Sequence, residues 1–255
     1  MKKIIFFGIV LAIFTFVISN WSAITSREII SGAPPYDVSN EDPGEINDPS
    51  WLSNWQRQAG PPKIALQVGH WKTDDVPEEL HRLAGNSGAS GGGMAEWEVN
   101  MNIAEETAKL LEERGIIVEI LPTTVPSRYW ADVFIAIHAD GSTDPYKNGF
   151  KAATPRRDMT GNADNLLNYI EESYQNATGL ERDPNVTRNM RGYYAFSWWR
   201  YDHAVHPMTT SLILETGFLT NASDRQIIVD NPQQSAQGIA DGIIAYLESQ
   251  NLLSG

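Results

Sequence analysis

The chain contains no cysteine, which excludes disulfide scaffolds, thiol nucleophiles, cysteine-based zinc ribbons and a lipid-modified cysteine anchor. Any metal site must therefore be assembled from His, Asp and Glu. Positive charge is also scarce: 19 Lys and Arg face 32 Asp and Glu, a formal charge of −13. A surface of that sign repels a phosphate backbone, so no nucleic acid is expected among the partners. There is no internal repeat. What is present suffices for one sizeable core: 255 residues, 42% of them hydrophobic and 10% aromatic, which also excludes a disordered tail.

The first sixty residues divide in two. Lys2-Lys3 is followed by no charged residue until Arg27. A spanning helix needs about 20 apolar residues, and the stretch from Ile4 to Trp21 comes close to that, with Trp21 where an interfacial aromatic would sit. Residues 1–26 are expected to be a signal peptide or an N-terminal membrane anchor. The poor cleavage-site candidate Val17-Ile18-Ser19 favours the anchor. The two lysines hold the N-terminus inside, which puts the rest of the chain outside the cytoplasm and makes the membrane a partner through this segment. Residues 27–60, rich in Pro, Ser and acids, read as an acidic stalk. Near its end Trp51, Leu52 and Trp55 are expected to pack onto the following domain or to form a small aromatic ligand patch.

Residues 61–255 read as a single catalytic domain of the α/β class, an open, mostly parallel or mixed β-sheet with helices on both faces. Lys63 to Val68 (KIALQV) is a short apolar run closed by Gly69, with His70 behind it. A Gly/Ser-rich stretch, Ala84 to Gly93, leads to a helical stripe of Val99, Ile103, Ala104, Ala108, Leu110 and Leu111, with Glu96 at its first turn. Ile116 to Leu121 and Asp132 to Ile137 are the next strands, and the second delivers His138 at its end. Asn162 to Asn176 forms a helix, and Thr210 to Leu214 (TSLIL) a buried strand ending at Glu215. Asn231-Pro232 then supplies an N-cap and a first-turn proline for a helix carrying Ala236, Ile239, Ala240, Ile243, Ile244 and Leu247.

Three ionisable residues, His70, His138 and Glu215, thus close three buried strands, and ligand crevices in open α/β sheets form at the carboxyl ends of strands. Glu96 follows a loop able to fold back over the same edge. Two imidazoles and a carboxylate are the ligand type of hydrolytic zinc sites, with a second carboxylate available as general base. Amide hydrolysis needs an activated water and a protonated leaving amine, and these groups supply both. Each histidine taken alone reads equally as a hydrogen-bonded structural residue, so the pattern by itself leaves both readings open.

Four segments, IALQVGHW (64–71), GGGMAEWEVNMNIAEETAKLLEERGIIVEIL (91–121), ADVFIAIHADGS (131–142) and SLILETGFLTN (211–221), resemble in order the motifs of the zinc-dependent N-acetylmuramoyl-L-alanine amidases. The resemblance implies that His70, Glu96 and His138 bind Zn2+ and that Glu215 is the catalytic acid/base. It implies hydrolysis of the amide between N-acetylmuramic acid and L-alanine in peptidoglycan, and an extracytoplasmic location at the cell envelope. The rivals are another extracytoplasmic zinc hydrolase, such as a peptidoglycan carboxypeptidase or deacetylase, and a non-catalytic wall-binding domain of the same fold. The family's Pro-Gly-His-Gly-Gly is replaced here by Val68-Gly69-His70-Trp71-Lys72 and a longer loop. Glu98 is a rival ligand, but the alignment with Asn100 selects Glu96.

Other groups carry weaker signals. His203 and His206 precede the Glu215 strand, within reach of the metal or as surface or hydrogen-bonded residues; His81 is assigned no role. Arg191, beside the aromatics Tyr193, Tyr194, Trp198 and Trp199, is the candidate for gripping a peptide carboxylate, and the same segment reads equally as core contacts. Asp140 and Ser142 are candidates for orienting an imidazole or for a turn. Asn221 fits a glycosylation sequon but is read as a helix cap. The glycine-rich loop lacks the Lys-Ser/Thr ending of a phosphate loop, so no nucleotide site is expected.

Overall fold

The computed structural model describes residues 49–253, so the expected segment 1–26 and most of the stalk lie outside the described residues. Five strands form the main sheet: β1 (Lys63–Val68), β4 (Ile117–Leu121), β5 (Val133–Asp140), β6 (Lys151–Ala153) and β7 (Thr210–Phe218), in the order β4-β1-β5-β7-β6. The first four are parallel, and β6 adds an antiparallel edge beside β7. A two-stranded ribbon, β2 (Ser90–Gly91) with β3 (Met94–Ala95), lies in the glycine-rich stretch. The apolar runs of β1, β5 and β7 are buried on both faces, which is why they read as continuous rather than alternating.

Alternation sorts their side chains into two cores. Ile64, Leu66, Val68, Ile135, Ile137, Leu212 and Leu214 pack with the long helices α1 (Glu96–Glu112), α2 (Ala163–Thr178) and α5 (Pro232–Ser249). Ala65, Phe134, Ala136 and Ile213 face the other way. There they meet residues of the 3-10 turns Glu78–Leu83 and Tyr194–Phe196 and of the short helix α3 (Arg188–Arg191). Both faces therefore carry helical cover, long helices on one and single turns and loops on the other.

Several local expectations shift. His138 and Glu215 lie inside β5 and β7 rather than past their ends, because ladder pairing continues through His138↔Glu215 to Asp140↔Phe218, with an irregularity at Ala139. α2 runs two residues further than expected, and its first N–H, that of Ala163, is taken by Asp158 at 2.9 Å. Asn231 holds the N-cap position of α5 with Pro232 in the first turn, as expected, but its side chain bonds no helix N–H; its amide donates to the Gln226 carbonyl at 2.7 Å. Asn221 does cap α4 (Ala222–Ile228), accepting from the N–H groups of Ser223 and Asp224.

The segment before β1 is fastened to the sheet's amino-terminal edge. Trp55 stacks on His206 at 5.6 Å and meets Trp130 at 5.9 Å. Arg57 grips Asp132 with two nitrogens, at 2.5 and 2.9 Å, and Asp132 also accepts the N–H of Lys63. Among the described residues no helix is long and apolar enough to cross a membrane.

Candidate metal centre

The register of the sheet brings three of the four residues together. β1 and β5 pair from Ile64↔Val133 to Val68↔Ile137, and the Gly69 N–H continues the ladder to the Ile137 carbonyl at 3.0 Å. His70 therefore emerges beside His138, their rings perpendicular and 5.1 Å apart. His70 adopts a left-handed backbone, φ 64°, a conformation in which a non-glycine residue carries strain and which clusters at functional sites. His138 and Glu215 are ladder partners on adjacent strands, so both side chains point to the same face.

Glu96 arrives from the other layer as the first residue of α1. Its Oε2 accepts the Ala89 N–H at 2.7 Å and its Oε1 the Ala139 N–H at 3.2 Å. The rival carboxylate, Glu98, turns back and accepts the Ala95 N–H at 2.8 Å, as a third-position Glu does in a capping box. Glu98 thus closes the helix start while Glu96 faces the sheet. Asn100, one turn on and fully buried, donates to the Gly69 carbonyl at 3.3 Å and ties α1 to the end of β1.

Two glycines are required by this packing. A Cβ on Gly69 would lie 2.4 to 2.6 Å from three atoms of the His138 ring. A Cβ on Gly88 would lie 2.2 Å from Glu96 Oε2, and its φ of +73° is itself unfavourable for other residues. The glycine-rich loop therefore folds back onto the sheet edge because only bare backbone fits there. Its Asn86 carbonyl meets His70 Nδ1 at 2.9 Å.

His70, Glu96 and His138 offer one ligand atom each, all within 4.8 Å of one another. His70 Nε2 lies 3.5 Å and His138 Nδ1 3.0 Å from the same oxygen, Glu96 Oε1. Two imidazole nitrogens and a carboxylate converging in this way fit the donor set that a zinc ion takes. Burial works against ionising Glu96, but the hydrogen bond from His138 and the two neighbouring imidazoles hold its pKa below the ordinary value. Burial lowers that of His70. Glu215 lines the same cleft, of about 390 Å³, with Ala89, Ala139, Asp140 and Gly141. Burial, helped by the charges of Glu96 and Asp140, pushes its carboxyl up to about 7 against the pull of His138 and Lys151. Lys151, the ladder partner of Glu215 on β6, is itself paired with Asp140 and Asp183.

Residues 64–245 match the profile of the N-acetylmuramoyl-L-alanine amidase family. The chain belongs to that family. A relative of known sequence, the N-acetylmuramoyl-L-alanine amidase LytC of Bacillus subtilis (strain 168), is 27% identical over 216 residues, covering 76% of this chain and 41% of LytC. The chain thus spans about two-fifths of that relative's length. Among solved structures, the catalytic domain of CwlV, an N-acetylmuramoyl-L-alanine amidase from Bacillus (Paenibacillus) polymyxa var. colistinus, superposes with a TM-score of 0.50 at 22% identity. It covers 73% of this chain and 98% of that one. The N-acetylmuramoyl-L-alanine amidase of Clostridium difficile 630 gives 0.53 at 16% identity, over 75% and 100%. At these identities the likeness shows that the amidase fold is shared.

The remaining candidates fall outside the cleft. Arg191 is exposed at the end of α3 and is not among the residues lining the cavity. His203 pairs with Glu79 at 2.7 Å. His206 is buried against Trp55 at the opposite edge of the sheet, its N–H bonded to the Tyr129 carbonyl. Ser142 caps no imidazole; its N–H donates to Thr220 Oγ1. Sequence reasoning gave Tyr193 only as one aromatic among several, yet its hydroxyl lies 3.4 Å from His138 Nε2 and donates to Gln67 Oε1 at 2.8 Å. The available signal was Gln67 itself, a polar residue in an otherwise apolar strand.

Proposed function

We propose that this chain is an extracytoplasmic zinc amidase that hydrolyses the bond between N-acetylmuramic acid and the L-alanine of a peptidoglycan stem peptide. The observation carrying the reading is the convergence of His70, Glu96 and His138 within 4.8 Å, with Glu215 in the same cleft. His70, Glu96 and His138 would hold the ion. Bound there, zinc supplies Lewis acidity, which eases ionisation of water and polarises a carbonyl.

Glu215 takes the proton released as water attacks the scissile carbonyl and returns it to the departing alanine nitrogen. A carboxyl raised to about 7 exchanges protons in both directions near neutral pH. Lys151 on the edge strand β6 and Asp140 at the end of β5 pair beside that carboxylate and hold its surroundings in place. Arg191 belongs to the proposal as the group that would pair with a stem-peptide carboxylate. So does the division into an export or anchor segment (1–26), an acidic stalk (27–60) and a catalytic domain (61–255), with the membrane as partner through the first.

The test is product analysis. The full chain is incubated with purified peptidoglycan, zinc-loaded and after chelation, and the soluble products are identified by mass spectrometry. Stem peptides with a free L-alanine amino group, released only by the zinc-loaded protein, are expected. Release of a terminal amino acid or of acetate instead would overturn the assignment in favour of a carboxypeptidase or deacetylase. No release by a zinc-loaded protein would favour a wall-binding role.

A further inference from the structure

The geometry points to Tyr193 and Gln67 as positioning residues that fix His138 in the tautomer whose Nδ1, not Nε2, is the metal ligand, the opposite of His70. The inference rests on the zinc reading above and extends it to residues outside the ligand set.

The argument starts at a group that has no choice. The Thr123 carbonyl only accepts hydrogen bonds, and Gln67, fully buried in β1, places its side-chain nitrogen 2.6 Å from it. That fixes the orientation of the Gln67 amide, since its oxygen in the same place would oppose a carbonyl. The same nitrogen lies 3.0 Å from the Tyr194 oxygen, whose hydroxyl donates to the Thr123 carbonyl as well. Gln67 Oε1 is left facing Tyr193, and an amide oxygen only accepts. The Tyr193 hydroxyl must donate to it, at 2.8 Å. Its one hydrogen is then committed, so toward His138 Nε2, 3.4 Å away, Tyr193 presents a lone pair. The bond forms only if His138 carries a proton on Nε2; the Nδ1 proton that the metal-free ring gives to Glu96 Oε1 at 3.0 Å is then the one a bound metal ion would displace.

His70 is fixed the other way round. Its Nδ1 meets the Asn86 carbonyl at 2.9 Å, so the proton sits on Nδ1 and Nε2 faces Glu96. Each ligand histidine thus has its far nitrogen held by an acceptor: a backbone carbonyl for one, a tyrosine oxygen poised by a glutamine for the other. Outer partners of this kind fix ring orientation and tautomer, and their loss typically costs about 10–100-fold in metal affinity.

The test uses the full chain. Proton–nitrogen correlation spectra of the zinc-loaded protein, labelled at histidine nitrogens, report which nitrogen of each ring is protonated. Zinc affinity is read separately by competition with a chromophoric chelator. The expected result is one ligand histidine protonated at Nδ1 and the other at Nε2. Tyr193→Phe, which keeps the ring, and Gln67→Met are each expected to weaken zinc binding about 10–100-fold, and the double variant no more than the weaker single one. Two ligand histidines with the same tautomer, or a Tyr193→Phe affinity within twofold of wild type, would overturn the inference alone. A wild-type chain that binds no zinc would overturn the metal reading, and this inference with it.

Discussion

Adding one methyl group at Gly69 tests whether the centre is built as described. The backbone of Gly69 is not in the left-handed region, so alanine is allowed there conformationally, and the effect comes from space alone. Its Cβ would stand 2.4 Å from His138 Cε1 and 2.6 Å from both ring nitrogens. Carbon atoms in contact settle at about 3.5–4.0 Å, so the ring or the strand end must retreat by roughly 1 Å. The ring has little room to do so, since Glu96 Oε1 lies 3.0 Å from one nitrogen and Tyr193 3.4 Å from the other. Overpacking of this sort costs about 1–3 kcal/mol, which for a domain of this size lowers Tm by about 2–4 °C per kcal/mol. Function should suffer more, because a displacement of about 1 Å at a reacting centre costs on the order of 100-fold in rate. The assay pairs a melting curve with zinc content and kcat/KM on soluble peptidoglycan fragments. Gly69→Ala should be folded, zinc-poor and at least about 100-fold less active. Full zinc occupancy with wild-type turnover in that variant would refute the proximity argument and the role of His138 together.

Other perturbations separate the remaining roles. Glu215→Gln should keep its zinc and lose about 10²–10⁴ in kcat; normal turnover, read by fragment release, would remove Glu215 from the proton path. Glu98→Ala should lower Tm through loss of a helix-start bond worth about 1 kcal/mol and leave zinc affinity intact, whereas Glu96→Ala should abolish zinc binding; chelator competition on the pair decides between the two carboxylates. Stability should fall in acid through His206. Burial and the nearby Arg128 charge hold its pKa down to about 4, against 6.5 for the free side chain. The unfolded chain therefore takes up a proton between pH 6.5 and 4 that the folded chain refuses. The resulting stabilisation, about 3 kcal/mol, is complete above pH 6.5 and is lost as pH falls toward 4. Denaturant melts across that window should show a shallower slope for His206→Asn than for wild type.

The candidate site was unusually legible because it sits where strand ends meet. Buried parallel strands announce themselves as apolar runs, and a His or Glu terminating such a run stands out. What stayed hidden depended on contacts between distant segments. The choice of Glu96 over Glu98, which the resemblance made through Asn100, turns on which residue starts α1; periodicity alone does not resolve it, and the Glu98 to Ala95 bond agrees with it. The edge strand β6 is three residues long, too short for any pattern to show. The continuation of β5 and β7 past His138 and Glu215 was missed because polar residues interrupt the apolar run while the ladder goes on. Tyr193 is separated from Gln67 by 126 positions, so only the fold brings them together.

One sheet thus performs two tasks at opposite ends. At the amino-terminal edge, Arg57 clamps Asp132 and Trp55 covers His206; at the other end the same strands present Gly69, His70, His138 and Glu215. From Asp132 to His138 the chain advances six strand residues, roughly 20 Å at about 3.3 Å each. Perturbations that far apart, with no shared partner, should act independently. The neutral His206 that stabilises one edge therefore places no demand on the ligand chemistry of the other, and loss of the Arg57 clamp bears on stability rather than on the metal. The strands between are filled with Ile, Leu, Val, Phe and Ala. Two polar residues each fix a neighbour that matters: Gln67, near the end of β1, holds Tyr193 beside the His138 ring, and Asp132, just before β5, holds the entering chain through Arg57.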